Sequence, residues 1–337
     1  KPMFIVESYT TAILFCIITM ICWGSWANTQ KLSEKTWRFE LFYWDYVIGI
    51  LLFSILCAFT LGSTGDGGRS FITDLKQADS FNILSALVGG FVFNAANILF
   101  SAAIAIAGMA VAFPVGIGIA LVLGVVLNYN VAQKGNPYFL FTGVALVIIA
   151  ILFNAAAYKR KSQSRAAGEV TAKGIIISVV AGILMSFFYR FIASAMDLEN
   201  FESPMPGKMT PYTAVFIFSA GIFLSNFIFN TALMKKPITG PPVTYSDYFK
   251  GNFKTHFVGI LGGLIWGLGN SLNLIAAGKA GPAISYGLGQ GATLIAALWG
   301  VFIWKEFKDA GKQTNVLIAA MFFFFLTGIA LIIYAGT

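Results

Sequence analysis

Runs of about 20 apolar residues recur from one end of this chain to the other, each long enough to cross a hydrocarbon layer of about 30 Å as a helix. They fall at 8–30, 38–62, 82–104, 108–128, 137–157, 174–195, 212–234, 256–277, 282–303 and 314–335. Lipid offers no partner to a backbone N–H or C=O, so a crossing segment must satisfy its own backbone. The runs are too long and too uniformly apolar for the alternating strands of a barrel. Only 11% of the 337 residues are charged, against about 25% in a soluble domain. The chain reads as an all-α membrane protein with ten transmembrane helices. The first run is longer than a signal-peptide core and lacks a small-residue cleavage site, so it is expected to be retained.

The formal charge of +8 could suit nucleic acid, but its placement points to a membrane and to no nucleic-acid partner. Lys31, Lys35 and Arg38 follow the first run, and Lys159, Arg160, Lys161, Arg165 and Lys173 follow the fifth. Lys235, Lys236, Lys250 and Lys254 follow the seventh, and Lys305, Lys308 and Lys312 the ninth. These are fifteen of the 22 basic residues, all on one face of a ten-helix chain. The positive-inside rule makes that face cytoplasmic and places both termini outside the cytoplasm. Cys16, Cys22 and Cys57 lie within apolar runs at no metal or redox spacing and read as packed thiols. Without a Walker A sequence, a metal cluster or a nucleophile–base set, the chain is expected to be no enzyme and to need no cofactor or metal.

A displacement of 173 residues lays "GGFVFNAANILFSAAIAIAGMAVAFPVGIG" (89–118) over "GGLIWGLGNSLNLIAAGKAGPAISYGLGQG" (262–291), with ten of thirty positions identical. Gly90 falls on Gly263 and Asn97 on Asn270. The segments belong to the third and fourth, and eighth and ninth, runs, so the repeat unit is five helices. An odd number of crossings inverts the second copy, and inverted repeats place a site near the midplane between them. Residues 1–157 then form the first repeat, 158–173 a basic cytoplasmic linker, and 174–337 the second repeat.

Polar side chains within such runs are costly and face the bundle interior. Helical spacing aligns Asn94, Asn97 and Ser101; Trp266, Asn270 and Asn273; and Tyr286, Gln290 and Thr293. Trp23, Trp26 and Gln30 add to this from the first run, and Asn226 and Asn230 from the seventh. Amides both donate and accept, and aromatic faces cover flat or CH-rich surfaces. The set suits a small neutral polar solute. Each asparagine could equally bridge two helices, and the clustered glycines suit close helix contact. The candidate binding residues are Trp23, Trp26, Asn94, Asn97, Trp266, Asn270, Asn273, Tyr286, Gln290 and Thr293. Asp45, early in the second run, is the candidate proton-coupling carboxylate or else the partner of a loop Lys or Arg. Glu306 reads as a solvated helix-end residue and His256 as structural.

The stretch "GSWANTQKLSEKTWRFELFYWDY" (24–46) resembles the first-loop region of the plant ureide permeases. Residues 89–129 and 262–307 resemble that family's two repeat segments. They are also similar to the bacterial glucose/ribose porters and, more loosely, to the rhamnose–proton symporter. The resemblance implies the drug/metabolite transporter fold of two inverted five-helix repeats, and proton-coupled import of a sugar, ureide or nucleobase. The positions carrying it are Gly24, Trp26, Tyr43, Asp45, Tyr46, Asn97, Asn270 and Gln290. "SYGLGQGAT" (285–293) is more polar and glycine-rich than the plant pattern, which favours a sugar. The expectation is a secondary transporter in a bacterial inner membrane, a monomer or homodimer, that imports a monosaccharide such as ribose or glucose with a proton or sodium ion. A ureide or nucleobase permease is the alternative. Export of drugs or amines is disfavoured, because a cation-holding carboxylate deep in the membrane is lacking.

Overall fold

The structure, a computed structural model, describes residues 2–33, 37–107, 112–163, 172–238 and 240–337. Fourteen helices are used below: α1 (Tyr9–Ser25), α2 (Ala27–Ser33), α3 (Phe39–Phe59), α4 (Phe71–Gln77), α5 (Ser80–Ala107), α6 (Gly118–Tyr129), α7 (Pro137–Gln163), α8 (Ala172–Ser194), α9 (Pro211–Lys235), α10 (Tyr245–Phe249), α11 (Phe253–Ala280), α12 (Pro282–Gln290), α13 (Ala292–Leu298) and α14 (Lys312–Tyr334). Among the described residues, nine helical stretches are long and apolar enough to cross a membrane, and Val115–Tyr129 is a shorter apolar one. The short one corresponds to the expected fourth span. Its first residues, 108–111, lie outside the described ones.

Boundaries follow local chemistry. Ser8 and Asn252 accept from the amides of Thr11 and Thr255 and start α1 and α11. Pro211 opens α9, where a missing N–H costs nothing. Gly281, at φ 87, turns the chain between α11 and Pro282 of α12. Two expected spans are broken: the first at Trp26, between α1 and α2, and the ninth at Gly291, between α12 and α13. Wide π turns cover Phe113–Ile117 before α6 and Trp299–Ile303 after α13. The expected linker begins later than 158, because α7 runs on to Gln163; residues 164–171 lie outside the described ones.

Helix α5 packs on α8 and α9, while α11 packs on α1 and α3. Helix α6 packs on α8, as α12 and α13 do on α1. Three further pairs are α3 with α9, α6 with α12, and α7 with α14. Glycines set the closest of these contacts. A Cβ on Gly90 would fall 3.0 Å from the Gly221 carbonyl carbon, and one on Gly143 would fall 2.7 Å from the Gly328 carbonyl oxygen. Small residues let backbones approach where lipid supplies no hydrophobic drive for association.

Contacts between loops define two ends of the bundle. At one end Arg38 donates to Pro241 O, Lys31 pairs with Glu306, and Tyr158 donates to Glu306. These segments carry the basic loops. At the other, Arg69 pairs with Asp74, whose Oδ2 accepts from Thr210 N, and Asn136 N donates to Ala335 O. Lys134 reaches Gly278 O at 2.6 Å and Leu198 O at 3.3 Å there, and burial pulls its ammonium below the ordinary lysine range.

Candidate functional site

A cavity of about 220 Å³ lies where α1, α2, α5, α8, α11, α12 and α13 converge. Trp23, Trp26, Gln30, Asn97, Trp266, Gln290 and Thr293 line it, and the breaks at Trp26 and Gly291 put Trp26 and Gln290 there. Trp23 and Trp266 are nearly parallel, with centroids 5.6 Å apart and planes at 7°. Phe93 lies on Trp266 at 4.5 Å and Phe188 on Phe93 at 5.2 Å. Trp26 lies 4.4 Å from Tyr46. The walls are flat rings whose faces suit a flat solute.

Few polar groups remain free among these rings. Ser101 Oγ donates to Asn97 O at 2.9 Å, and Thr293 Oγ1 donates to Gln290 O at 3.1 Å, so both hydroxyl hydrogens are spent on backbone. Asn97 Nδ2 donates to Tyr43 Oη at 3.0 Å. Among the described residues, the Gln290 and Gln30 side-chain amides, the Asn97 Oδ1 and Trp23 Nε1 have no partner in the protein.

Six of the ten candidate binding residues line this cavity: Trp23, Trp26, Asn97, Trp266, Gln290 and Thr293. The other four do not, and each lies elsewhere for a stated reason. Asn94 accepts from Tyr43 Oη and donates to Ser225 Oγ, so it ties α5 to α3 and α9. Asn273 accepts from Tyr189 Oη at 2.6 Å and donates to Ser285 O at 2.8 Å, bridging α8, α11 and α12. Tyr286 donates to Ala120 O and Met185 O, its ring lying on Gly124. Asn270 is buried, and neither end of its amide has a partner among the described residues. Sequence reasoning missed Phe93, Phe100 and Phe188, which also line the cavity. A signal existed for Phe93, which occupies the repeat position of Trp266.

A second cavity of about 200 Å³ shares Gly24, Ala27, Phe113, Thr293 and Ala296 with the first. It continues to Lys31, Tyr158, Trp304 and Glu306 at the end that carries the basic loops. Glu306 is not the solvated residue expected. It accepts from Lys31 Nζ at 3.0 Å and Tyr158 Oη at 2.6 Å, and Lys31 sits 4.2 Å above the Trp304 ring. Elsewhere in the bundle, Asn273 joins Tyr189 to Ser285, and Lys134 bonds Gly278 O.

Asp45 lines neither cavity and has no Lys or Arg partner among the described residues. It is fully buried in a cage of donors. Trp37 Nε1 reaches Oδ2 at 2.9 Å, Tyr248 Oη reaches Oδ1 at 2.7 Å, and His256 Nδ1 lies 2.8 Å from Oδ1. Helix α10, started by a Thr244–Asp247 capping box, carries Tyr248 to this place. Burial and the neighbouring carboxylate push the Tyr248 hydroxyl well above its ordinary value, so it stays a donor.

A bundle of apolar helices around a ring-walled, solute-sized cavity that continues toward one end has the architecture of a polytopic membrane transporter. The chain belongs to the ureide permease family, which matches it over residues 42–173 and 158–335. It is 26% identical to ureide permease 1 of Arabidopsis thaliana, over 98% of both chains. It is 24% identical to probable ureide permease A3 of Vigna unguiculata, over 93% of this chain and 100% of that one. A solved crystal structure, described only as that of a protein, aligns over 96% of both chains with TM-score 0.60 and 16% identity, a likeness of fold alone. Members of this family are transporters, so the chain is an integral membrane transporter and not an enzyme. The family match is to the ureide permeases, so it favours the alternative solute over the monosaccharide. These named relatives are plant proteins and lend nothing to the expectation of a bacterial inner membrane.

Proposed function

We propose that the chain carries a small, flat, neutral solute of the ureide or nucleobase type by alternating access between two inverted five-helix repeats. The observation that carries this reading is the cavity itself, where the unspent Asn97 Oδ1 and Gln290 amide stand between indole and phenyl walls. A ureide offers N–H and C=O groups on a planar frame, matching amide edges and ring faces together. A monosaccharide carries hydroxyls all round, and with the hydroxyl hydrogens of Ser101 and Thr293 spent on backbone its oxygens find fewer donors in the wall. Polar groups buried without partners disfavour it.

Support for the inverted repeats comes from the packing partners. Shifting each helix to its counterpart five spans on exchanges α5 on α8 for α11 on α1, and α5 on α9 for α11 on α3. Phe93 and Trp266, at equivalent repeat positions, meet each other. On this reading the second cavity is a vestibule on the side of the basic loops, the side that the positive-inside rule assigns to the cytoplasm, with both termini opposite. Asp45 is the proposed proton site. Its only ionisable basic neighbour among the described residues is His256. The carboxylate is fully buried against that imidazole, so a charge change at Asp45 would be felt within the cage.

Uptake into proteoliposomes tests the solute. Allantoin, hydantoin or uracil should enter saturably, and Asn97→Ala with Gln290→Ala should abolish uptake in a protein that remains folded. Saturable ribose or glucose uptake with no ureide uptake would overturn the reading.

A further inference from the structure

We infer that Tyr43 is a positioning residue that fixes which end of the Asn97 amide meets the solute, so that the cavity selects cargo presenting a hydrogen-bond donor there, in a ureide an N–H group. The inference rests on the cavity being the solute site.

Four side chains on three helices form one hydrogen-bonded chain. Asn97 Nδ2 donates to Tyr43 Oη at 3.0 Å, Tyr43 Oη to Asn94 Oδ1 at 2.9 Å, Asn94 Nδ2 to Ser225 Oγ at 2.9 Å, and Ser225 Oγ to Ile222 O at 3.0 Å. The direction of the chain is decided at its far end. A backbone carbonyl only accepts. Ile222 O takes the Ser225 hydrogen and also lies 3.3 Å from Asn94 Nδ2. Asn94 therefore turns its NH₂ toward Ser225 and Ile222, which leaves its oxygen for Tyr43.

A hydroxyl has one hydrogen, and Tyr43 gives it to Asn94. Toward Asn97 it can only accept. Asn97 must then present NH₂ to Tyr43, and its Oδ1 is left without a protein partner among the described residues, at the cavity wall. Tyr43 and Asn94 are fully buried, so water does not compete for these bonds. A loose amide could flip and serve donors and acceptors alike; this one is held as an acceptor. Cargo that places no donor against it, as when a methyl replaces the hydrogen of an N–H, strands the oxygen. Among the described residues the device belongs to one half, because Asn270, at the repeat position of Asn97, has neither end of its amide bonded there.

Binding of hydantoin, 1-methylhydantoin and 3-methylhydantoin to the purified protein tests this. Wild type should bind hydantoin roughly tenfold more tightly than the derivative that methylates the N–H facing Asn97. Tyr43→Phe frees Asn97 from one side of the chain, and Asn94→Leu severs it on the other. Either should shrink that ratio to about twofold, since a flipping amide tolerates both ligands. A merely structural role would weaken all three ligands alike and leave the ratio unchanged. Folded Tyr43→Phe or Asn94→Leu protein with the wild-type ratio, or a wild type that does not discriminate, overturns the inference. If Asn97→Ala leaves hydantoin binding intact, the cavity reading itself falls.

Discussion

Gly49 of α3 and Gly263 of α11 meet backbone to backbone: a Cβ on Gly263 would lie 2.8 Å from the Gly49 Cα and directly against the carbonyl oxygen of Tyr46. Gly90 and Gly221 make the matching contact between α5 and α9, where a Cβ on Gly221 would lie 3.3 Å from the Gly90 Cα. Backbone atoms cannot swing aside as a side chain can. Gly263→Ala and Gly90→Ala should each destabilise by about 1–3 kcal/mol, read as a lower unfolding temperature in detergent. An unchanged midpoint for Gly263→Ala would contradict the contact.

Asn273 and Asn270 share a stripe of α11 but differ in their partners. Leucine at 273 would strand Tyr189 Oη and Ser285 O, costing about 1–3 kcal/mol. Leucine at 270 strands nothing described and should leave stability equal or higher. The inverted-repeat proposal adds a kinetic expectation for Asn270, which would line the cavity when the opposite end opens. Asn270→Leu should then bind solute normally in the present state while uptake slows, as paired binding and flux measurements would reveal.

Asp45→Asn keeps the shape of the cage but removes the proton-binding charge. If Asp45 couples transport, proton-driven accumulation disappears while solute exchange between equal pools on the two sides persists. Accumulation that survives in Asp45→Asn removes the residue from the coupling step.

Glu306 gives the vestibule a pH dependence of defined sign. Burial pushes its carboxyl up, but the bonds from Tyr158 and Lys31 outweigh this and hold it below the ordinary range. A depressed folded-state value means the stabilisation is complete above the unfolded glutamate value, about 4.3, and is lost as pH falls through the folded one. Thermal midpoints of wild type and Glu306→Gln should differ above about pH 5 and converge in acid. A constant gap down to strong acid would show that the carboxylate charge is not what joins Lys31 to Tyr158.

Much of the architecture is legible from residue order alone. The length of each apolar run dictates a crossing helix, because lipid leaves the backbone no other partner. Helical period puts Trp266, Asn270 and Asn273 on one stripe, and the 173-residue displacement pairs Asn97 with Asn270. Period says which face of a helix a residue takes, not which other helix stands opposite. That choice separates Asn97, whose amide meets Tyr43, from Asn270, whose amide meets no partner among the described residues. It also brings His256 onto Asp45 from 211 residues away. The sequence by itself determined the helices and the stock of amides and rings they carry. Only the tertiary structure decided which amide groups are spent inside the protein and which are left for a solute, since the bonds that join Asn97, Tyr43, Asn94 and Ser225 link helices distant along the chain.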